Sequence, residues 1–164
     1  MQAALTGHLV LSTLHTNDAP SAVTRLLELG VPAYLIRATL IGVLAQRLVR
    51  TLCPECKAPM PMTGAHWREL GAEGVAQPAT IYRAVGCLEC RQTGYRGRCG
   101  VYELMQLNAP MQAAVADSPD LEKLRQLAVE GGMRPLRYAG AEKIAAGMTS
   151  VDEVLSLTPD PRQL

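Results

Sequence analysis

Residues 51–60 read TLCPECKAPM, and residues 85–94 read VGCLECRQTG. Each stretch carries a Cys-x-x-Cys, and together they use four of the chain's five cysteines. Two residues between cysteines let one tight turn present both sulfurs to the same ion. Two such turns complete the tetrahedron that structural Zn²⁺ prefers. Cys53, Cys56, Cys87 and Cys90 are therefore the predicted metal ligands. The spacer between the pairs, residues 57–86, is longer than the common zinc-site spacing, so the intervening loop must carry structure of its own. A redox dithiol is the rival reading. Two pairs, with no surrounding βαβ pattern, count against it. A closed four-thiolate site leaves no open coordination position, so it staples a loop-rich module rather than catalysing. Lys57 and Arg91 each follow the second cysteine of a pair, where a positive charge offsets the thiolates. Cys99 is left over and reads as a small buried hydrophobe.

Outward from the cysteines, residues 53–97 are rich in Gly and Pro and read as a loop-rich module with one short helix near 65–70. Upstream, Leu9–Leu14 (LVLSTL) is an apolar run that predicts a strand buried on both faces, as in a parallel sheet. Asn17 or Asp18 caps the next helix, Pro20 sits in its first turn and Gly30 ends it. Pro32 opens a second helix with Leu35, Ile36, Leu40, Ile41 and Leu44 apolar, and a short strand follows at 47–52. Downstream, 99–107 (CGVYELMQL) reads as a strand paired with the 46–50 region. Ser118 and Pro119 open a helix stopped by Gly131 and Gly132. Pro135 opens another that ends near Gly147. Ser150-Val151-Asp152-Glu153 reads as a capping box for the last helix, and 158–164 as a loose tail.

Composition narrows the function classes. The net charge is +1, and the sixteen basic residues are scattered. There is no Phe and one Trp, so a base-stacking nucleic-acid surface is not expected. No run of 18 apolar residues marks a transmembrane helix. No signal peptide opens the chain, which makes a reducing cytoplasm the default. His15 lies just past the end of the predicted 9–14 strand, the edge at which open α/β sheets bind ligands. A His, two hydroxyl residues and an Asn there suit contact with a phosphate or a water. His66 reads as a solvated side chain.

The stretch TGHLVLSTLHTNDA, residues 6–19, resembles the histidine box of the secretion ATPases that drive type II secretion and type IV pilus assembly. AQRLVRTLCPECK (45–57) continues the resemblance. GCLECRQTGYRGRCGVYEL (86–104) is similar to the tetracysteine element of the type II secretion and pilus-extension members, and MTSVDEVLSLT (148–158) to their C-terminal helix. The resemblance implies an α/β fold: the C-terminal part of a RecA-like P-loop ATPase domain, with a zinc-binding insertion and a helical C-terminal region. It implies core at residues 1–52, zinc module at 53–97, and returning strand with helices at 98–164. It places His8 and His15 at the catalytic histidine-box positions, His15 toward the γ-phosphate, with Thr13 and Thr16 beside the nucleotide. ATP and Mg²⁺ are the implied cofactors of the complete protein, beside structural Zn²⁺. The implied assembly is a homo-hexamer at the cytoplasmic face of the inner membrane. There it works on a platform protein and other secretion or pilus machinery, with no nucleic acid.

A P-loop needs Gly immediately before its Lys. The three lysines, Lys57, Lys123 and Lys143, follow Cys, Glu and Glu. No acidic pair ends an apolar strand as a Walker B motif would. The expectation is a C-terminal fragment that does not hydrolyse ATP alone and that exposes apolar surface, favouring self-association. A free-standing zinc-stapled module that docks on a membrane platform protein stays open as the alternative. A zinc-ribbon nucleic-acid binder would require a basic, aromatic face that the sequence does not supply.

Overall fold

The computed structural model describes residues 1–71 and 75–159, without the side chain of His66. Its longest elements are two strands, β1 (Gly42–Leu52) and β4 (Tyr95–Gln106), paired in a two-stranded sheet. The Leu107 amide donates to the Ile41 carbonyl at one end (3.1 Å), and the Cys53 amide to the Gly94 carbonyl at the other (2.9 Å). The pairing is therefore antiparallel. The expected pairing of the 46–50 region with 99–107 is thus present, in strands longer than the sequence suggested.

The remaining elements follow chain order. Helices α1 (Gln2–Leu5), α2 (Ser21–Glu28) and α3 (Ala33–Thr39) precede β1. Strand β2 (Ala58–Pro61), helix α4 (Gly64–Glu69) and strand β3 (Thr80–Arg83) follow it. A single 3-10 turn, Leu88–Cys90, leads into β4. Helices α5 (Ala109–Ala114), α6 (Leu121–Glu130), α7 (Leu136–Ala145) and α8 (Val151–Leu157) complete the chain. Strands β2 and β3 form a second antiparallel pair, with Ala58 opposite Arg83 and Pro61 opposite Thr80.

The chain divides into two compact units. Unit 1 holds residues 1–45 and 103–134. Its core joins Val23 of α2 and Ile36 of α3 to Met105, Met111 and Leu124, all fully buried. Asp18 caps α2 by accepting from the Ser21 amide at 3.0 Å. The same carboxylate pairs with Arg125 Nε of α6 at 2.9 Å, with both side chains largely buried. Glu103 of β4, also buried, accepts the Ala19 amide. Asp18 and Ala19 are thus tied to α6 and β4 respectively.

Unit 2 holds residues 46–102 and 135–164. Val49, Leu70, Ile81, Val101, Leu136, Ile144 and Val154 are buried in its core. Arg137, on α7, is only 5% exposed. Its guanidinium donates to the Glu69 carbonyl at the end of α4 (3.1 Å) and to the Thr158 carbonyl just past α8 (3.0 Å). Helix C-termini carry partial negative charge and unpaired carbonyls. Two of them therefore solvate a cation that burial would otherwise penalise.

Several expectations are corrected. Residues 8–16 form no regular structure, so the strand expected at 9–14 is not formed. Leu9 and Leu11 are 76% and 88% exposed. An apolar run becomes a strand only beside a neighbour that pairs its backbone; the two sheets among the described residues join β1 to β4 and β2 to β3. The second helix stops at Thr39, and Ile41 and Leu44, assigned to its apolar face, are exposed instead. Here the β4 backbone approaches closely: a Cβ on Gly42 would lie 3.1 Å from the Met105 carbonyl oxygen. Tertiary pairing overrides the helical spacing.

The helix expected at Ser118 starts two residues later under Asp120, whose carboxylate accepts from the Glu122 and Lys123 amides. The short α5 is capped by Asn108, whose side chain accepts from the Met111 amide, with Pro110 in its first turn. Thr158 is buried and held by Arg137 rather than starting a loose tail, while residues 160–164 lie outside the described ones.

The predicted capping box is half formed. Ser150 Oγ accepts from the Glu153 amide at 3.3 Å. The Glu153 carboxylate turns instead to Arg50 of β1, accepting from its backbone amide and from Nε, both at 2.9 Å. Burial pushes the Glu153 carboxyl up, but hydrogen bonding to Arg50 outweighs it and holds the group below the ordinary carboxylate range. A depressed folded value means stability that is present above the unfolded value of about 4.3 and lost as pH falls through the folded one. Because Arg50 is half exposed, screening limits the effect. Glu153→Gln is expected to cost about 1 kcal/mol at pH 7. Urea titrations at pH 7 and pH 3 should show the difference from the unsubstituted chain shrinking in acid.

Candidate metal centre

The first knuckle begins where β1 ends. Leu52 and Cys53 are buried, and the chain turns so that the Lys57 amide donates to the Cys53 carbonyl at 3.0 Å. The second knuckle is the 3-10 turn after Gly86. Its exit places two non-glycine residues, Arg91 and Gln92, in left-handed backbone (φ 53° and 64°). Each such residue costs on the order of 1 kcal/mol, so the turn needs outside support. The Gln92 amide donates to the Cys87 carbonyl at 2.8 Å and supplies part of it.

These turns bring Cys53, Cys56, Cys87 and Cys90 together, with all four sulfurs within 4.8 Å of one another. Cys53 lies 3.9 Å from Cys87, Cys56 lies 3.9 Å from Cys90, and Cys87 lies 3.7 Å from Cys90. A tetrahedron with Zn–S bonds of 2.3 Å has edges of roughly 3.8 Å. Three of the six edges have about that length, and four clustered sulfurs suit one tetrahedral metal ion of the zinc type.

Backbone amides add to the fit. Gly86 donates to Cys56 Sγ at 3.3 Å, Cys87 to Cys90 Sγ at 3.1 Å, and Gly94 to Cys90 Sγ at 3.2 Å. Amides aimed at sulfur favour the thiolate. Burial raises the Cys90 thiol, but the Cys87 and Gly94 amides and neighbouring thiols outweigh it and lower it to about 6. Cys87 is pulled down by its backbone contact with Cys90. Burial and the hydrogen bonds it shares with Cys90, Cys56 and Cys53 still leave it at about 11. Metal ligation requires the thiolate form, so a divalent cation bound here would release protons from its cysteine ligands.

The two glycines were not singled out by the Cys-x-x-Cys spacing. Gly86 and Gly94 have φ of 120° and 75°, and a Cβ on either would lie 2.8 Å or less from its neighbours. A glycine directly before Cys87 and another four residues after Cys90 were the available signal.

Lys57, expected to offset the thiolates, donates to the Gly147 carbonyl at 2.9 Å and lies over the Tyr82 ring at 4.5 Å. Cys99 is half-buried on β4 rather than buried, and stands outside the four-sulfur set. His8 is exposed, its Nδ1 3.0 Å from the Thr6 hydroxyl. Thr13 and His15 are exposed, and the half-buried Thr16 donates to the Asp18 carbonyl. At the end of this segment Asp18 is tied to Arg125 and Ala19 to Glu103.

No helix among the described residues is long and apolar enough to cross a membrane. The Type II/IV secretion system protein family matches residues 1–156. The chain is 54% identical over 160 residues to the type IV pilus assembly ATPase TfpB of Acinetobacter baylyi, covering 97% of this chain and 27% of that protein. It is 46% identical over 158 residues to type II secretion system protein E of Pseudomonas aeruginosa, covering 96% and 31%. It is 43% identical over 158 residues to the type IV pilus assembly ATPase PilB of Thermus thermophilus, covering 96% and 18%. The chain thus spans less than a third of the length of these curated relatives. With the family matched from residue 1 to residue 156, the chain belongs to the type II/IV secretion system protein family.

Proposed function

We propose that this chain is the zinc-bearing part of an ATPase that powers type II secretion or type IV pilus assembly. The observation that carries the reading is the cluster of four sulfurs within 4.8 Å of one another, with three separations of 3.7–3.9 Å, inside a chain matched along nearly its whole length to that family. Cys53, Cys56, Cys87 and Cys90 hold the metal. When bound, zinc supplies a structural cross-link between the two knuckles and leaves no position open for chemistry.

In the complete protein, a RecA-like domain binds ATP and Mg²⁺ between subunits of a hexamer. His15 and His8 serve at its catalytic edge, with Thr13 and Thr16 near the nucleotide. Catalysis of this type is positioning plus charge stabilisation at the γ-phosphate. The ties from Asp18 to Arg125 and from Ala19 to Glu103 would hold the histidine-bearing segment at its C-terminal side. Hydrolysis then moves an inner-membrane platform protein from the cytoplasmic face. By itself this chain lacks a Gly-Lys pair for the phosphates, and it does not turn over ATP.

The test is metal content and phosphate release on the purified chain. About one zinc per chain and no ATP hydrolysis above background is the expected result. No metal, or hydrolysis that His15→Ala abolishes, would overturn one half of the reading or the other.

A further inference from the structure

We infer that the metal site seats the C-terminal helices α7 and α8 through the residues that directly flank its ligands, with Lys57 as a positioning residue. The inference rests on the zinc reading above. The link between α7 and α8, residues 146–150, is held at one point by β1, where the Thr149 hydroxyl donates to the Arg50 carbonyl at 2.8 Å, and from three further places, each next to a cysteine turn.

Just before Cys53, the Leu52 amide donates to the Met148 carbonyl at 2.8 Å. Just after Cys56, Lys57 Nζ donates to the Gly147 carbonyl at 2.9 Å. Both ends of the first knuckle thus grip adjacent carbonyls of the same link. From the second knuckle, Gly94 donates to Cys90 Sγ and accepts from the Cys53 amide. The next residue, Tyr95, shares a hydrogen bond of 2.7 Å with Ser150 Oγ, the cap of α8. The Tyr95 ring also carries the Arg50 guanidinium at 4.1 Å, which pairs with Glu153 in the first turn of α8.

The fit at Gly147 is tight. Its backbone is left-handed (φ 66°), and a Cβ there would lie 3.0 Å from the Tyr82 ring and 3.5 Å from Lys57 Nζ. The ammonium is therefore wedged between an aromatic face and the carbonyl end of α7, where both neighbours favour a cation. Spacing among these anchors is set by the shape of the two knuckles. That shape includes two left-handed residues, Arg91 and Gln92, that need holding. Cross-linking the four sulfurs fixes it. Releasing them frees the Leu52, Lys57 and Tyr95 anchors to move independently.

Hydrogen exchange on the full chain, with zinc content measured on the same samples, tests this. Chelation should raise exchange in residues 146–157 about tenfold, together with the knuckles. Lys57→Met should keep one zinc and leave residues 87–94 protected, while exchange in 146–157 rises severalfold; Lys57→Arg should restore part of that protection. The inference is overturned if chelation opens the knuckles and leaves 146–157 unchanged. It is equally overturned if Lys57→Met leaves 146–157 protected, or loses the metal, since Lys57 would then act on the site and not through it. A wild-type chain without zinc would overturn the zinc reading itself, which the metal analysis distinguishes.

Discussion

Cys90→Ser is expected to abolish stoichiometric zinc binding and to unfold the stretch between the knuckles. Cys90 is 5% exposed and its sulfur accepts from two amides, more than the other three ligands receive among the described contacts. A serine hydroxyl is a far weaker zinc ligand than a thiolate, so the tetrahedron loses a corner. Structural zinc contributes apparent binding energies of about 10–16 kcal/mol in small zinc domains, comparable to the whole stability of a domain. Purified Cys90→Ser should therefore carry far less than one zinc per chain. Its thermal transition should fall by more than about 10 °C or lose cooperativity. Cys99→Ser is the internal comparison: it lies outside the set and should keep one zinc, with a stability change of less than about 1 kcal/mol. Atomic emission for metal and calorimetry for the transition read both variants. Full zinc retention by Cys90→Ser would remove that sulfur from the ligand set.

Arg137→Ala is the second large effect, expected to cost about 3 kcal/mol. The side chain is buried, and its guanidinium serves the carbonyl of Glu69 and both the carbonyl and hydroxyl of Thr158. Removing it strips donors from buried acceptors, at about 1–3 kcal/mol for each group left without one. It also opens a cavity where the aliphatic stem packed. Recovered solvation of the cation offsets part of that loss. In a chain of this size the transition should drop by about 10 °C. Arg137→Lys keeps the charge but not the planar fork, so it should rescue only part. Calorimetry on both variants decides. A shift under about 2 °C for Arg137→Ala would mean that the helix ends find other donors.

Much of the candidate site was legible from short-range chemistry. Cys-x-x-Cys spacing encodes a turn within four residues, so the four clustered cysteines and their pairing as two knuckles could be named before any fold. Helix ends set by one residue were legible for the same reason, as at Gly30, Pro32, Pro135 and Ser150. Legibility failed where a side chain had two suitable partners at different distances along the chain. Glu153 has the spacing of a capping-box residue, yet it goes to Arg50, 103 positions away, because a charge-assisted pair outcompetes a reach back to one amide. Lys57 has the position to balance thiolates, yet it takes a helix end and an aromatic ring.

The sequence by itself determined the four-cysteine set, the family resemblance, most helix boundaries and the two principal strand regions. All of these depend on residues within a turn or two of each other, or on motifs read as text. Only the tertiary structure decided that Leu9–Leu14 stays exposed and irregular, and that the helix after Pro32 yields to a strand at Gly42. It also decided that a buried Arg137 is solvated by two helix ends, and that both knuckles grip the link before α8. The reason is common to all four. Backbone and charged groups must be paired when buried, and which partner satisfies them depends on what the fold brings near, not on what stands next in the chain.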